Sequence, residues 1–251
     1  MTKYYSSKFY EDILEGSKKS AEIVLPLVFS QIKPKSIVDV GCGTGTWLSV
    51  AKKINICDVL GLDGDYAKDH LLIKPDEFKA TDISKGFLLD KKYDLAICLE
   101  VGEHISTKKS SVLVDSLTKA AEVIIFSAAI PGQGGTHHIN EQWPDFWQKL
   151  FQNKDFVRVD FIRPMIYNNP DVEWWYRQNI FLYIHEKVLK KFPGVVAQRN
   201  QANDILLLHI GLLKRRYGLV RSLIFNVKYP LALILCRLGF SDAAAKFMNE
   251  S

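Results

Sequence analysis

The chain has 251 residues, 47% of them hydrophobic and 24% charged, which suffices for a full core and excludes a disordered polyelectrolyte. Its net charge is +5, yet residues 187–251 hold eleven Lys and Arg against three Asp and Glu, so the basic excess belongs to the C-terminal part. Cysteines at 42, 57, 98 and 236 form no CxxC pair, which speaks against a zinc site or disulfide framework and for reduced thiols in a cytoplasmic protein. Met1 to Lys8 contains no apolar stretch of the secretory-signal kind.

In chain order, residues 8–29 have helical periodicity, with Phe9, Ile13 and the Ile23-Val24-Leu25 group on one side, and Pro34 closes the approach to a strand at 36–40. That strand breaks into a glycine turn opening a helix over 44–53. Glycines 41, 43 and 45 give GxGxG, whereas the dinucleotide fingerprint needs a small residue at 46, here threonine; no lysine follows as in a triphosphate loop. Strands are expected near 58–63, 77–82 and 93–100, then a helix over 107–121 and a strand over 123–128. A helix near 140–152 precedes two strands, 156–163 and 179–185, suited to an antiparallel pair. Three acids, Asp39, Asp63 and Asp82, fall at successive strand ends, and Asp63 lies at the spacing at which a strand-end acid takes ribose hydroxyls.

The run from Asp39 to Gly45 resembles the first motif of class I S-adenosylmethionine-dependent methyltransferases, an acidic residue on the strand followed by GxGxG. The resemblance covers roughly residues 8–186. It implies an α/β, doubly wound, seven-stranded Rossmann-like sheet with its last strand antiparallel. The division would be an N-terminal helical lid (1–29), a cofactor-binding core (30–186) and a basic helical extension (187–251). It further implies that Asp39 accepts from the cofactor's ammonium group or ordered water, that Asp63 takes the ribose hydroxyls, and that Asp82 accepts from the adenine amine with Ile83 lining the ring. Gly41, Cys42, Gly43, Gly45, Gly64 and Glu100 complete the expected cofactor contacts.

Glu100-Val101-Gly102-Glu103-His104-Ile105 resembles the E-V-x-E-H-[IL] segment of many small-molecule methyltransferases, where the chain leaves the sheet beside the sulfonium. An imidazole there can take the proton of an attacking hydroxyl, which makes His104 the first choice for general base. The loop from Pro131 to Trp143 resembles the GGxxHxNEQ segment of a bacterial-type group associated with glycan biosynthesis. Its His138 and His137 are the other catalytic candidates; Glu103, Asn140, Glu141 and Gln142 are candidate substrate contacts. His138 and Glu141, three apart on entry to a helix, could clasp each other or share a divalent metal, but so sparse a ligand set disfavours the metal. Trp174, Trp175 and Arg177 would meet a sugar through ring faces and hydrogen bonds, whereas Trp143 and Trp147, four apart, read as core.

The expected activity is O-methylation of a sugar hydroxyl in a glycan or glycoconjugate. Lipid, quinone or protein acceptors, or a regulator that binds the cofactor without turnover, are the alternatives. Nucleic acid is not an expected partner, because the basic residues are scattered among aliphatics. In the tail, Lys214, Arg221 and Lys228 recur every seven residues beside apolar surface. No uncharged stretch there reaches the ~18 residues of a spanning helix; residues 205–237 could meet an acidic membrane surface, but packing on the core or in a homodimer is preferred, since apolar helices usually find protein partners. Liposome co-sedimentation should therefore give equal binding for the full chain and a 1–195 form; loss of binding on truncation would establish the membrane contact instead.

Overall fold

A computed structural model describes the backbone of residues 7–199 and the side chains of 14–197. The side chains of Phe9 and Ile13 and the expectations for 200–251, the 205–237 segment included, lie outside the described residues. Seven strands form one sheet: β1 (Ser36–Val40), β2 (Asp58–Asp63), β3 (Phe78–Ala80), β4 (Leu95–Leu99), β5 (Val123–Ser127), β6 (Phe156–Val159) and β7 (Phe181–His185). Their order is β3-β2-β1-β4-β5-β7-β6, and β7 runs antiparallel to both neighbours while the other pairings are parallel.

Period-two alternation puts one core on each face of this sheet. Ile37, Leu95, Ile97, Ile125, Leu182 and Ile184 face one side with α1 (Ser7–Ile32) and α2 (Thr46–Lys53). Val38, Val40, Ala96, Cys98, Ile124, Phe126 and Tyr183 face the other with α3 (Ser110–Ala120) and α4 (Pro144–Gln152). On α1 the apolar group at 23–25 lies as expected, Val24 and Leu25 being fully buried. Three short helices follow β6 or β7 or lie between them: α5 (Ile162–Ile166), α6 (Trp174–Asn179) and α7 (Glu186–Leu189); α8 (Pro193–Arg199) ends the described chain. No helix among the described residues is long and apolar enough to cross a membrane.

Several element ends differ from the sequence expectation, and local polar contacts accompany three of them. The third strand stops at Ala80, since Asp82 leaves the ladder to cap a 3-10 turn, accepting from the Ser84 amide at 3.2 Å and its hydroxyl at 2.7 Å. The sixth stops at Val159: Asp160 pairs with Arg163, whose Nε donates at 2.9 Å, and α5 begins at Ile162. α4 starts at Pro144 rather than near 140, because the amides of Ile139 and Asn140 donate to the Glu103 carbonyl and that of Gln142 to Ala129. The expected helix at 107–121 opens as a 3-10 turn, Thr107–Lys109, before α3.

Phe126 anchors the second core, its ring centroid 5.0 Å from Trp147, 5.4 Å from Phe151 and 6.0 Å from Tyr183. Trp143 and Trp147 are both buried, as a core reading requires. Phe126→Ala should lower the unfolding free energy by about 3–5 kcal/mol in urea titration, the range for deleting a buried aromatic; a loss under about 1 kcal/mol would mean the cluster is not close-packed.

Candidate active site

The strand order reverses between β1 and β4, and crevices at the carboxyl ends of strands beside such a switch point are where open α/β sheets bind ligands. Here the glycine turn leaves β1. Gly41, Gly43 and Gly45 have φ of +79°, +55° and +77°, a region that disfavours any side chain. A Cβ on Gly41 would also lie 2.2 Å from Val101, whereas one on Gly43 would point into open space, so the turn presents bare backbone to a cavity. That cavity is lined by Asp39, Gly41, Cys42, Gly43, Thr44 and Thr46 from the turn, by Tyr66, Ala67 and His70 after β2, and by Leu99 of β4.

Its roof comes from residues the sequence reading did not single out. Leu14 and Ser17 of α1, Trp47 of α2 and Tyr176 of α6 close over it. Trp47 Nε1 donates to Ser17 Oγ at 3.1 Å, the Tyr176 hydroxyl lies 3.4 Å from the same oxygen, and the Trp47 and Tyr176 rings meet edge to face at 5.3 Å. Ser17 is thus the joint of three helices. An indole, a phenol and a serine spread over 160 residues leave no local sequence signal, although Tyr66, three residues past Asp63, falls within one turn of an expected ligand.

The carboxylates behave differently from one another. Asp63 is buried and braces the turn, accepting from the Gly43 amide at 2.7 Å, the Gly64 amide at 2.6 Å and the Tyr66 hydroxyl at 2.5 Å. Asp39 is equally buried; burial, then the neighbouring Asp63 carboxylate, pushes its carboxyl up to about 8. Asp82 is exposed at the carboxyl edge beyond β3, and its hydrogen bonds to Ser84 and ion pair with Lys85 hold its carboxyl below the usual range. Neither Asp82 nor Ile83 lines the cavity, whose lining also omits Gly45, Asp63, Gly64 and Glu100. Burial raises the Cys42 thiol far beyond its ordinary range, so that residue serves by its backbone.

Glu100 adopts φ +54°, an uncommon conformation for a residue with a side chain. Its surroundings enforce it: the amide donates to the Ser127 carbonyl at 3.0 Å, and the carboxylate accepts from Gln133 at 2.8 Å and Asn179 at 3.2 Å. Burial raises its carboxyl, and these hydrogen bonds temper the rise. The next residues form a 3-10 turn, Gly102–His104, seated on α4; a Cβ at Gly102 would be 2.6 Å from Trp147, so only glycine permits that approach.

This turn and the 131–142 loop bring His104 and His138 together, their rings edge to face at 5.0 Å. Glu141 clasps the loop, accepting from the Gly132 amide at 2.8 Å, the Gly134 amide at 2.6 Å and His138 Nδ1 at 3.0 Å. Although burial opposes it, these bonds hold the Glu141 carboxyl below its ordinary value. The pair therefore meets directly, within the loop ahead of α4, as a clasp. His104 Nδ1 lies 3.3 Å from the His137 carbonyl, and His137 itself takes φ +59° and is exposed. Carbonyl and carboxylate oxygens only accept, so each imidazole donates from Nδ1. Desolvation of the ring, then the His138 imidazole, holds His104 below its usual value, in its neutral form.

Asn140 is reassigned from the substrate to the loop. Its Nδ2 donates to the Gly102 carbonyl at 3.1 Å and Ser110 Oγ at 3.0 Å, and its Oδ1 accepts from Thr107 at 2.7 Å and Gln142 at 3.1 Å, which exhausts a carboxamide's capacity. Glu103 is fully buried under the same loop. Trp174 and Trp175 are half-buried on α6 with rings 5.7 Å apart, and half-buried Arg177 donates to the Tyr167 carbonyl at 3.3 Å.

A glycine turn with acids at neighbouring strand ends, over a sheet of this order, defines a doubly wound domain built for a small nucleoside-bearing ligand. A family model described as a methyltransferase domain matches residues 15–179, and the chain belongs to that family. No curated protein sequence matches it. Among solved structures it is similar to DesVI of Streptomyces venezuelae, with 15% identity and a TM-score of 0.55 over 70% of this chain and 95% of that one. CalS10, an amino pentose methyltransferase from Micromonospora echinaspora with bound S-adenosylmethionine, is 14% identical with a TM-score of 0.51, over 74% of this chain and 100% of that one. The magnesium protoporphyrin IX methyltransferase ChlM of Synechocystis PCC 6803 is 18% identical with a TM-score of 0.50, over 72% and 86%.

Asp39 gives a pH signature of its own. Its folded pKa of about 8 lies above the ~3.9 of an unfolded aspartate, so the native state binds the extra proton and loses stability as pH rises between these values. Asp39→Asn removes that penalty. Its unfolding free energy relative to the parent should therefore improve steadily from about pH 4 to about pH 8 in parallel urea titrations; a constant difference would mean Asp39 stays ionised.

Proposed function

We propose that this protein is an S-adenosylmethionine-dependent O-methyltransferase whose acceptor is a sugar hydroxyl. The observation that carries the reading is the meeting of the His104 and His138 imidazoles in the turn and loop beyond β4, whose Leu99 lines the cavity. The turn fits the cofactor: Gly43 leaves open space where a Cβ would stand, and Asp63 is held at that turn. Asp39 would accept from the cofactor's ammonium group, Asp63 from the ribose hydroxyls, and Asp82, with lone pairs to spare, from the adenine amine.

When bound, the cofactor supplies an electrophilic methyl group on a sulfonium. The α1, α2 and α6 side chains over the cavity exclude water from it. The acceptor hydroxyl hydrogen-bonds to an Nε2 of the His104–His138 pair and gives up its proton there as its oxygen takes the methyl. Sugar chemistry is supported by the half-buried Trp174 and Trp175, whose faces suit C–H surfaces, on the helix that also roofs the cavity, and by likeness to an amino pentose methyltransferase.

A panel of glycans and nucleotide sugars read by mass spectrometry should show an acceptor gaining ~14 Da, the mass of a methyl replacing a proton. His104→Ala or His138→Ala should lower kcat by about 10²–10⁴-fold, the usual scale of acid–base catalysis, with S-adenosylhomocysteine affinity unchanged. Full turnover by both variants would overturn the placement of the acceptor, and methylation of a non-sugar acceptor alone would overturn its class.

A further inference from the structure

The Glu103 carboxylate is the polar group this reading leaves unexplained. It is 0% exposed, and among the described residues neither Oε1 nor Oε2 has a hydrogen-bond partner. An anionic carboxylate so placed is costly unless a cation or a proton reaches it.

Two imidazoles stand beside this carboxylate. One donor atom each from Glu103, His104 and His138 lies within 4.8 Å of the other two, and His138 Nε2 is 4.0 Å from Glu103 Oε1. Ligands about 2.1 Å from a common ion are at most about 4 Å apart, so a contraction of about 1 Å would close the set. The surroundings of both histidines have the form that metal-bound imidazoles need. His138 is steered through Nδ1 by Glu141, which two loop amides hold in turn, and His104 through Nδ1 by the His137 carbonyl.

We infer that Glu103, His104 and His138 form a binding site for a divalent first-row transition metal ion of the Zn²⁺, Co²⁺ or Mn²⁺ kind. Two imidazoles with one carboxylate favour such an ion over Mg²⁺, whose preference is for oxygen. Three protein ligands leave coordination positions open, and exposed His104 puts them on the outer side of the site. In what the ion would touch, the inference rests on the proposed acceptor site: neighbouring sugar hydroxyls would fill the open positions, and with the ion bound the reacting hydroxyl's proton would pass to water, the imidazoles taking it only in the ion-free site. The binding of the ion is independent of that reading.

The test uses the full chain, stripped with a chelator and dialysed, then titrated by calorimetry with Zn²⁺, Co²⁺ and Mn²⁺ in the absence of cofactor and acceptor. One equivalent of at least one ion should bind, with visible absorption bands for Co²⁺ that report nitrogen ligation. Glu103→Gln and His138→Ala should each weaken binding at least about 100-fold, and Glu141→Gln, which touches no ion, about 10–100-fold. Circular dichroism checks each fold; should Glu103→Gln unfold, the exposed His104→Ala carries the same comparison. Absence of stoichiometric binding, or binding indifferent to these substitutions, would overturn the site and leave a proton as the occupant of Glu103. A silent acceptor screen with intact metal binding would count against the sugar reading alone.

Discussion

The reversal of strand order between β1 and β4 is the constraint from which the site follows. The helices after these strands leave on opposite faces, α2 toward the core that holds Ile37 and Ile97 and α3 toward the core that holds Val38 and Cys98. Their loops must diverge, and the gap between them becomes the crevice. Into it the chain puts Asp39, Asp63, Glu100 and Glu103, all withdrawn from solvent to some degree. A protein of net positive charge thus collects four carboxylates at one sheet edge. Such an edge favours cations, and a ligand carrying an ammonium and a sulfonium repays part of the desolvation that the empty crevice imposes on these acids.

On the acceptor side, order comes from polar saturation rather than from apolar burial. Every donor and acceptor of the Asn140 amide is used, and Glu141 accepts from two amides and an imidazole. These bonds hold Gly132, Gly134 and His137 at positive φ, a set of conformations that a loose loop would not keep. The histidines are consequently aimed by the loop's own hydrogen bonds.

The sheet was legible because its strands alternate or run apolar between glycine and proline punctuation, so that Ile37 through Val40 and Val123 through Ser127 could hardly be anything else. Strand ends were not. Asp82 looked like the last residue of its strand and Asp160 like an interior residue of the next-to-last one, and each instead binds a side chain two or three residues on, a choice set by local geometry that apolar periodicity does not register. In the site, the glycine turn, Asp63 and the two histidines carried local motifs. Asn140 stood in a motif but works for the loop, because a list of polar residues does not reveal which hydrogen bonds are already spent. Ser17, Trp47 and Tyr176 have no motif and meet only through folding.

Cofactor side and acceptor side are joined by one three-residue junction. Asn179 ends α6, three residues after Tyr176 over the cavity; Gln133 belongs to the acceptor loop; Glu100 ends β4. The Asn179 amide donates to Gln133 Oε1 at 2.8 Å and to Glu100 at 3.2 Å, while Gln133 donates to Glu100 at 2.8 Å. Roof, loop and sheet therefore share one carboxylate. Methyl transfer tolerates little error along the line from sulfur through carbon to the attacking oxygen. On the proposed reading of the 131–142 loop as the acceptor's, a junction that fixes this loop to the strand end bordering the cavity would set that line from within the sheet, and Glu100 keeps its uncommon backbone conformation at that junction.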